Sequence, residues 1–143
     1  MTSSMARNEA GSAATEFALL APTFLMFLFL LLDGGRMVFA KQSLNDLANV
    51  TARCAASKAT GCDTIANAQS WAVSRGLARN NLQLSTSNVT INSPAPNTAC
   101  GGVANMTQAT ISMTWKRGAM TLLPQSVAPS TLSASACFAT TPS

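Results

Sequence analysis

Few residues in this chain are able to do chemistry. It has five carboxylates (Glu9, Glu16, Asp33, Asp46 and Asp63), four cysteines (Cys54, Cys62, Cys100 and Cys137), and neither histidine nor tyrosine. The commonest general base and the commonest transition-metal ligand are therefore missing. No two carboxylates form an evident acid–base pair in sequence, and a cysteine nucleophile without any histidine is an unusual arrangement. Gly34-Gly35 and Gly101-Gly102 are isolated pairs of the kind found in turns, not phosphate-cradling loops. An enzyme is not expected, and neither is a cofactor, a bound metal or a small-molecule substrate. What remains is thiol oxidation and one carboxylate in a costly position. Glu16 follows Gly11-Ser12-Ala13-Ala14-Thr15 and stands at the lip of an apolar run. From Phe17 to Leu32 only Ala18, Ala21, Pro22 and Thr23 are not strongly apolar. An acidic residue in such a run costs up to roughly 2.5–3.5 kcal/mol at the centre of a membrane helix, and less near an end. Glu16 either snorkels out at the helix start or is kept for a partner or a processing enzyme.

The element that must carry Glu16 is a membrane helix. Residues 12–32 are long enough to cross a hydrocarbon core of roughly 30 Å. Pro22 is tolerated there, because neighbouring helices and local adjustments satisfy the carbonyl that it frees. Asp33 ends the run, and Arg36 lies on the same helical face, within reach of an ion pair that marks the membrane exit. Met37, Val38, Phe39, Ala40, Leu44, Leu47, Ala48, Thr51 and Ala55 continue at helical spacing, apolar on one side only. A cleaved secretory signal is the competing reading. Its apolar region spans about 7–15 residues before a small-residue site. The run here is longer, and Leu32-Asp33-Gly34-Gly35-Arg36 is a poor signal-peptidase site.

The cysteines decide the orientation. All four follow the helix, and in a chain without histidine four scattered cysteines read as two disulfides rather than a metal site. Disulfides need an oxidising compartment, so the C-terminal part lies outside and the leader in the cytoplasm. Charge is consistent with a solvated surface. From Asp33 onward eight basic and three acidic residues give +5, and the remainder carries −1. The basic residues are scattered, which argues against nucleic acid as a partner. Four cysteines allow three connectivities. Local spacing favours Cys54–Cys62, which leaves Cys100 with Cys137.

The outer part reads as α+β. Asp63 or Thr64 caps a second helix over about residues 64–78, with Ile65, Ala68, Ala72, Val73 and Leu77 as its apolar stripe and Trp71 shielding an edge. The period then changes to two. Leu82, Leu84, Val89 and Ile91 read as one or two strand pieces, Ala109 to Trp115 as a strand, and Leu132 to Phe138 as the last strand. A short antiparallel sheet of about three strands is expected, in a core small enough for the disulfides to matter.

At this point the residues resemble a family. Glu9-Ala10-Gly11-Ser12-Ala13-Ala14-Thr15-Glu16-Phe17-Ala18-Leu19-Leu20-Ala21-Pro22 is similar to the start of TadE-like proteins, pseudopilins of the tight-adherence (Tad/Flp) type IVb pilus system. Asp33-Gly34-Gly35-Arg36-Met37-Val38-Phe39 resembles the acidic-x-Gly-Arg pattern that closes that family's apolar segment. The likeness covers roughly residues 9–55, with a looser echo in Leu132 to Phe138. Phe17 stands where Flp pilins often have tyrosine, which points to the pseudopilin branch.

The resemblance implies a division into a cytoplasmic leader (1–11), a transmembrane helix (12–36) and an extracytoplasmic TadE-like domain (37–143). It implies cleavage between Gly11 and Ser12 by a membrane prepilin peptidase, with Glu16 and Phe17 in recognition and assembly. Glu16 becomes the fifth residue of the mature chain. Its carboxylate is expected to pair with the free N-terminal ammonium of a neighbouring subunit, which offsets part of its burial cost. The expected role is a minor pseudopilin, single-pass in the bacterial inner membrane, whose partners are the peptidase and other pilins or pseudopilins. The alternative is an uncleaved single-pass adaptor of an envelope or secretion complex, in which Glu16 is incidental.

Overall fold

The computed structural model describes residues 6–80, 82–96 and 98–140, with the side chains of 6–12, 79, 80 and 119 outside that description. Helix α1 runs unbroken from Ala6 to Ala56 with Pro22 inside it. At 1.5 Å per residue it is about 76 Å long, far more than a bilayer needs. No helix break separates the expected leader, spanning segment and outer domain; what changes along the rod is burial. Residues 13–29 are almost all exposed, and the first fully buried side chain is Leu44.

The C-terminal third of α1 forms the spine of the domain. Leu44, Leu47, Ala48, Thr51 and Ala52 recur at helical spacing and are buried. Helix α2 (Ile65–Asn80) packs on it and on the first strand. Thr64 is its N-cap, since the Thr64 Oγ1 accepts the Asn67 backbone N–H at 3.2 Å. The packing face of α2 is Ala68, Ala72 and Gly76, four residues apart, with Trp71 and Val73 half-buried beside them. This corrects the expected stripe, because Ile65 and Leu77 are exposed. A face of small residues lets two helices approach closely, whereas larger side chains hold them apart.

The sheet has three antiparallel strands in the order β1 (Val89–Asn92), β2 (Met106–Thr114), β3 (Thr131–Ala139). Val89 lies opposite Ile111 and Ile91 opposite Ala109, and Ile111 in turn faces Ala134. These residues share one face and bury it against α1, as the period of two requires. The expected strand around Leu82 and Leu84 is not formed. A short 3₁₀ turn, Thr86–Asn88, intervenes, held by the Asn88 side-chain oxygen, which accepts the Ser85 N–H at 2.9 Å. The chain bends there, and pairing starts only at Val89. Leu82 is still buried and Leu84 packs against the core, so hydrophobicity placed them correctly and local turn chemistry denied them the ladder. At the other end β2 stops at Thr114, but the Trp115 N–H still donates to the Ser130 carbonyl at 2.7 Å.

Two disulfides staple the domain. Cys54–Cys62 closes the turn after α1, where Gly61 adopts φ +86°, and Cys100–Cys137 ties the 3₁₀ turn Cys100–Gly102 to β3. The pairing matches the one that local spacing favoured.

Candidate functional site: the exposed rod and its exit

Two stretches of α1 carry the residues singled out above, and the sequence folds them differently. The first is the apolar stretch. Phe17, Leu19, Leu20, Phe24, Phe27 and Leu32 are each more than half exposed, which an aqueous surface does not tolerate over such a length. Nothing within the described residues covers them, and the apolar window of this helix is 0% buried. Length and composition suffice to cross a bilayer. Glu16 is exposed on this rod, one residue before Phe17 and less than two turns before Pro22. Gly11 and Ser12 lie within the helical backbone of α1, and their side chains are outside the described residues, as are residues 1–5 of the expected leader altogether.

The second stretch is the exit. Asp33 is half-buried and Arg36 is exposed. The Asp33 carboxylate does not simply face water. It lies against Gly118, at the start of a 3₁₀ turn (Gly118–Leu122) that the connection from β2 to β3 packs onto α1. A β-carbon at residue 118 would stand 2.5 Å from Asp33 Oδ2, and Gly118 has φ +48°. Glycine meets both demands, the close approach and the left-handed backbone. A cleft between α1 and this connection is lined by Asp33, Arg36, Phe39, Trp115, Lys116 and Gly118. Arg117 ties the connection together, since its guanidinium donates to the Ala128 carbonyl at 3.4 Å. Higher up, the Lys41 ammonium donates to the Ser133 carbonyl of β3.

The sequence did not reveal this contact between Asp33 and the connection. Its only signal was Lys116-Arg117-Gly118 directly after a strand, a turn pattern with no indication of where the turn lands.

At the far end of the domain, Asp63 accepts the Asn67 side-chain N–H at 2.9 Å. That hydrogen bond, with help from backbone N–H groups of residues 63 and 64, holds its carboxyl below the usual carboxylate range. Arg75 stacks on Trp71 at 5.5 Å and Arg53 lies over Phe138 at 5.9 Å, so these cations cover aromatic faces. Among the described residues no cluster of histidine, cysteine or carboxylate groups could hold a metal, and all four cysteines are in disulfides.

Comparison with known proteins adds one finding. Residues 11–53 match the family model described as TadE-like protein. The matched stretch starts at Gly11 and ends one residue before Cys54, so it covers the rod and leaves out β3. No curated protein and no solved structure matches this chain.

Proposed function

We propose that this chain, with its TadE-like segment over residues 11–53, is a minor pseudopilin of a Tad (Flp) pilus system. The family is one of structural pilus components, which associates the chain with such a system and its membrane. In the proposed mechanism a prepilin peptidase removes residues 1–11 on the cytoplasmic side, between Gly11 and Ser12. The domain from residue 37 onward stands outside the inner membrane, where its disulfides form. Glu16 of the mature chain pairs with the terminal ammonium of a neighbouring pilin or pseudopilin, and the pair sets the register between their helices.

One observation carries this proposal: the TadE-like match coincides with a rod whose apolar side chains have no cover among the described residues. Such a rod suits a lipid environment before assembly and sister helices after it. The experiment is N-terminal sequencing of the membrane form from cells with and without the prepilin peptidase, together with Glu16→Gln. The mature chain is expected to begin at Ser12 only where the peptidase is present. Glu16→Gln is expected to lower pilus assembly by about a hundredfold or more, the low end for breaking a buried ion pair. A start other than Ser12 in both strains overturns the proposal.

The adaptor reading draws on the continuity of α1 through Gly11-Ser12, since a peptidase needs that helix unwound. It requires the full chain in the working membrane form and full function for Glu16→Gln.

A further inference from the structure

The contact between Asp33 and Gly118 has a consequence for depth. If residues 12–32 cross the bilayer, Asp33 stands at the level of the lipid headgroups. The turn Gly118–Leu122 touches α1 at that same level, so it lies on the membrane surface by construction. Its side chains fit that place. Leu122 is 71% exposed and Val127 61%, at the tip of a connection whose own interior is filled by Met120 and Ala128. Phe39, also exposed, lines the adjoining cleft. The charged groups around the cleft are Asp33, held against Gly118, and the cations Arg36, Lys116 and Arg117. Arg117 is engaged with Ala128, whereas Arg36 and Lys116 are exposed. From residue 64 to the end the sequence has no Asp or Glu, so Asp33 of α1 is the one side-chain carboxylate that lines the cleft beside these cations.

We propose that the connection from Lys116 to Val127 is a membrane-surface collar: Leu122 and Val127 enter the interface, and Arg36 and Lys116 bind the phosphates of anionic phospholipid. The domain then leans on the bilayer instead of standing free on its helix. The proposal rests on the reading of α1 as a membrane anchor.

The test uses the full-length chain in vesicles of phosphatidylethanolamine and phosphatidylglycerol, with phosphatidylcholine vesicles for comparison. A photoreactive benzoylphenylalanine replaces Leu122, and in a second variant Ile65. Ile65 is exposed but lies beside Ala55, about 33 Å along α1 from Asp33. The expected result is a lipid adduct by mass spectrometry from position 122 and none from position 65. The adduct should be roughly fivefold more abundant with phosphatidylglycerol, an advantage that Arg36→Ala with Lys116→Ala removes. A protein–protein adduct from 122 overturns the collar in favour of a second copy. A chain that floats with the vesicles yet gives no adduct from 122 overturns the collar and leaves the anchor standing. A chain that fails to float overturns both. Adducts indifferent to headgroup charge overturn the role given to Arg36 and Lys116.

Discussion

Gly118 shows how one residue can set the attitude of a domain. Any β-carbon there meets the Asp33 carboxylate, and any L side chain meets the left-handed backbone at φ +48°. Gly118→Ala is therefore expected to destabilise the domain by about 1–2 kcal/mol from the backbone alone, and further through displacement of Asp33. The thermal midpoint in detergent micelles, followed by circular dichroism, measures it. Asp33→Gly added to Gly118→Ala should recover the steric part only. Asp63 gives a prediction of the opposite kind, small and tied to pH. Its folded-state carboxyl titrates below the unfolded value because Asn67 donates to the charged form. Its contribution is thus fully present above about pH 4 and is lost as pH falls through the lower folded value. Amide protection factors in the first turn of α2, which take out the intrinsic pH dependence of exchange, should fall below that point, and Asn67→Ala should flatten the dependence. Protection factors in that turn that do not change with pH would refute the assignment.

At the scale of elements, the decisive feature is the close meeting of α1 and α2. Ala48 and Ala52 of one and Ala68, Ala72 and Gly76 of the other are buried, and at Gly76 even a β-carbon would come within 3.0 Å of Leu47. Ala72→Leu forces extra volume into this seam and should cost about 1–3 kcal/mol or more in chemical denaturation. Ile65→Ala, on the exposed side of the same helix, should stay within about 0.5 kcal/mol. The contrast separates the observed packing face from the larger-residue stripe that hydrophobicity alone suggested. Hydrophobicity was misleading here because a helix packed this tightly is selected for smallness on its inner face, and Ile65 and Leu77 are too large for it.

For the molecule as a whole, a small core is backed by covalent closure. Cys54 and Cys62 are 8 residues apart, Cys100 and Cys137 are 37 apart. By the loop-entropy relation these bonds stabilise by about 2.5 and about 3.8 kcal/mol. Replacing Cys100 and Cys137 together by alanine should therefore lower the denaturant midpoint more than replacing Cys54 and Cys62. An inverted order would show that the first bond acts mainly by holding the end of α1, not by constraining the unfolded chain. Both bonds lie toward the C-terminal end of α1, since Cys54 stands in its last turn and Arg53 beside it lies over Phe138, the neighbour of Cys137.

The elements themselves were legible one by one. The apolar run, the helical spacing that continues past Asp33, the cap before α2 and the alternation of β2 and β3 are local patterns, and each formed where its period said. The two disulfides followed from a short spacing and what it left over. Local chemistry also explains the one strand that failed, because the Ser85–Asn88 turn competes with pairing within a few residues. Tertiary structure alone decided which face of α2 turns inward and where the Lys116–Val127 connection comes to rest. Residues 33 and 118 are far apart in sequence, and no periodicity, propensity or charge pattern encodes their meeting. It arises because β2 and β3 lie along α1 in a fixed register, and that register carries the turn between them down to the end of the apolar rod.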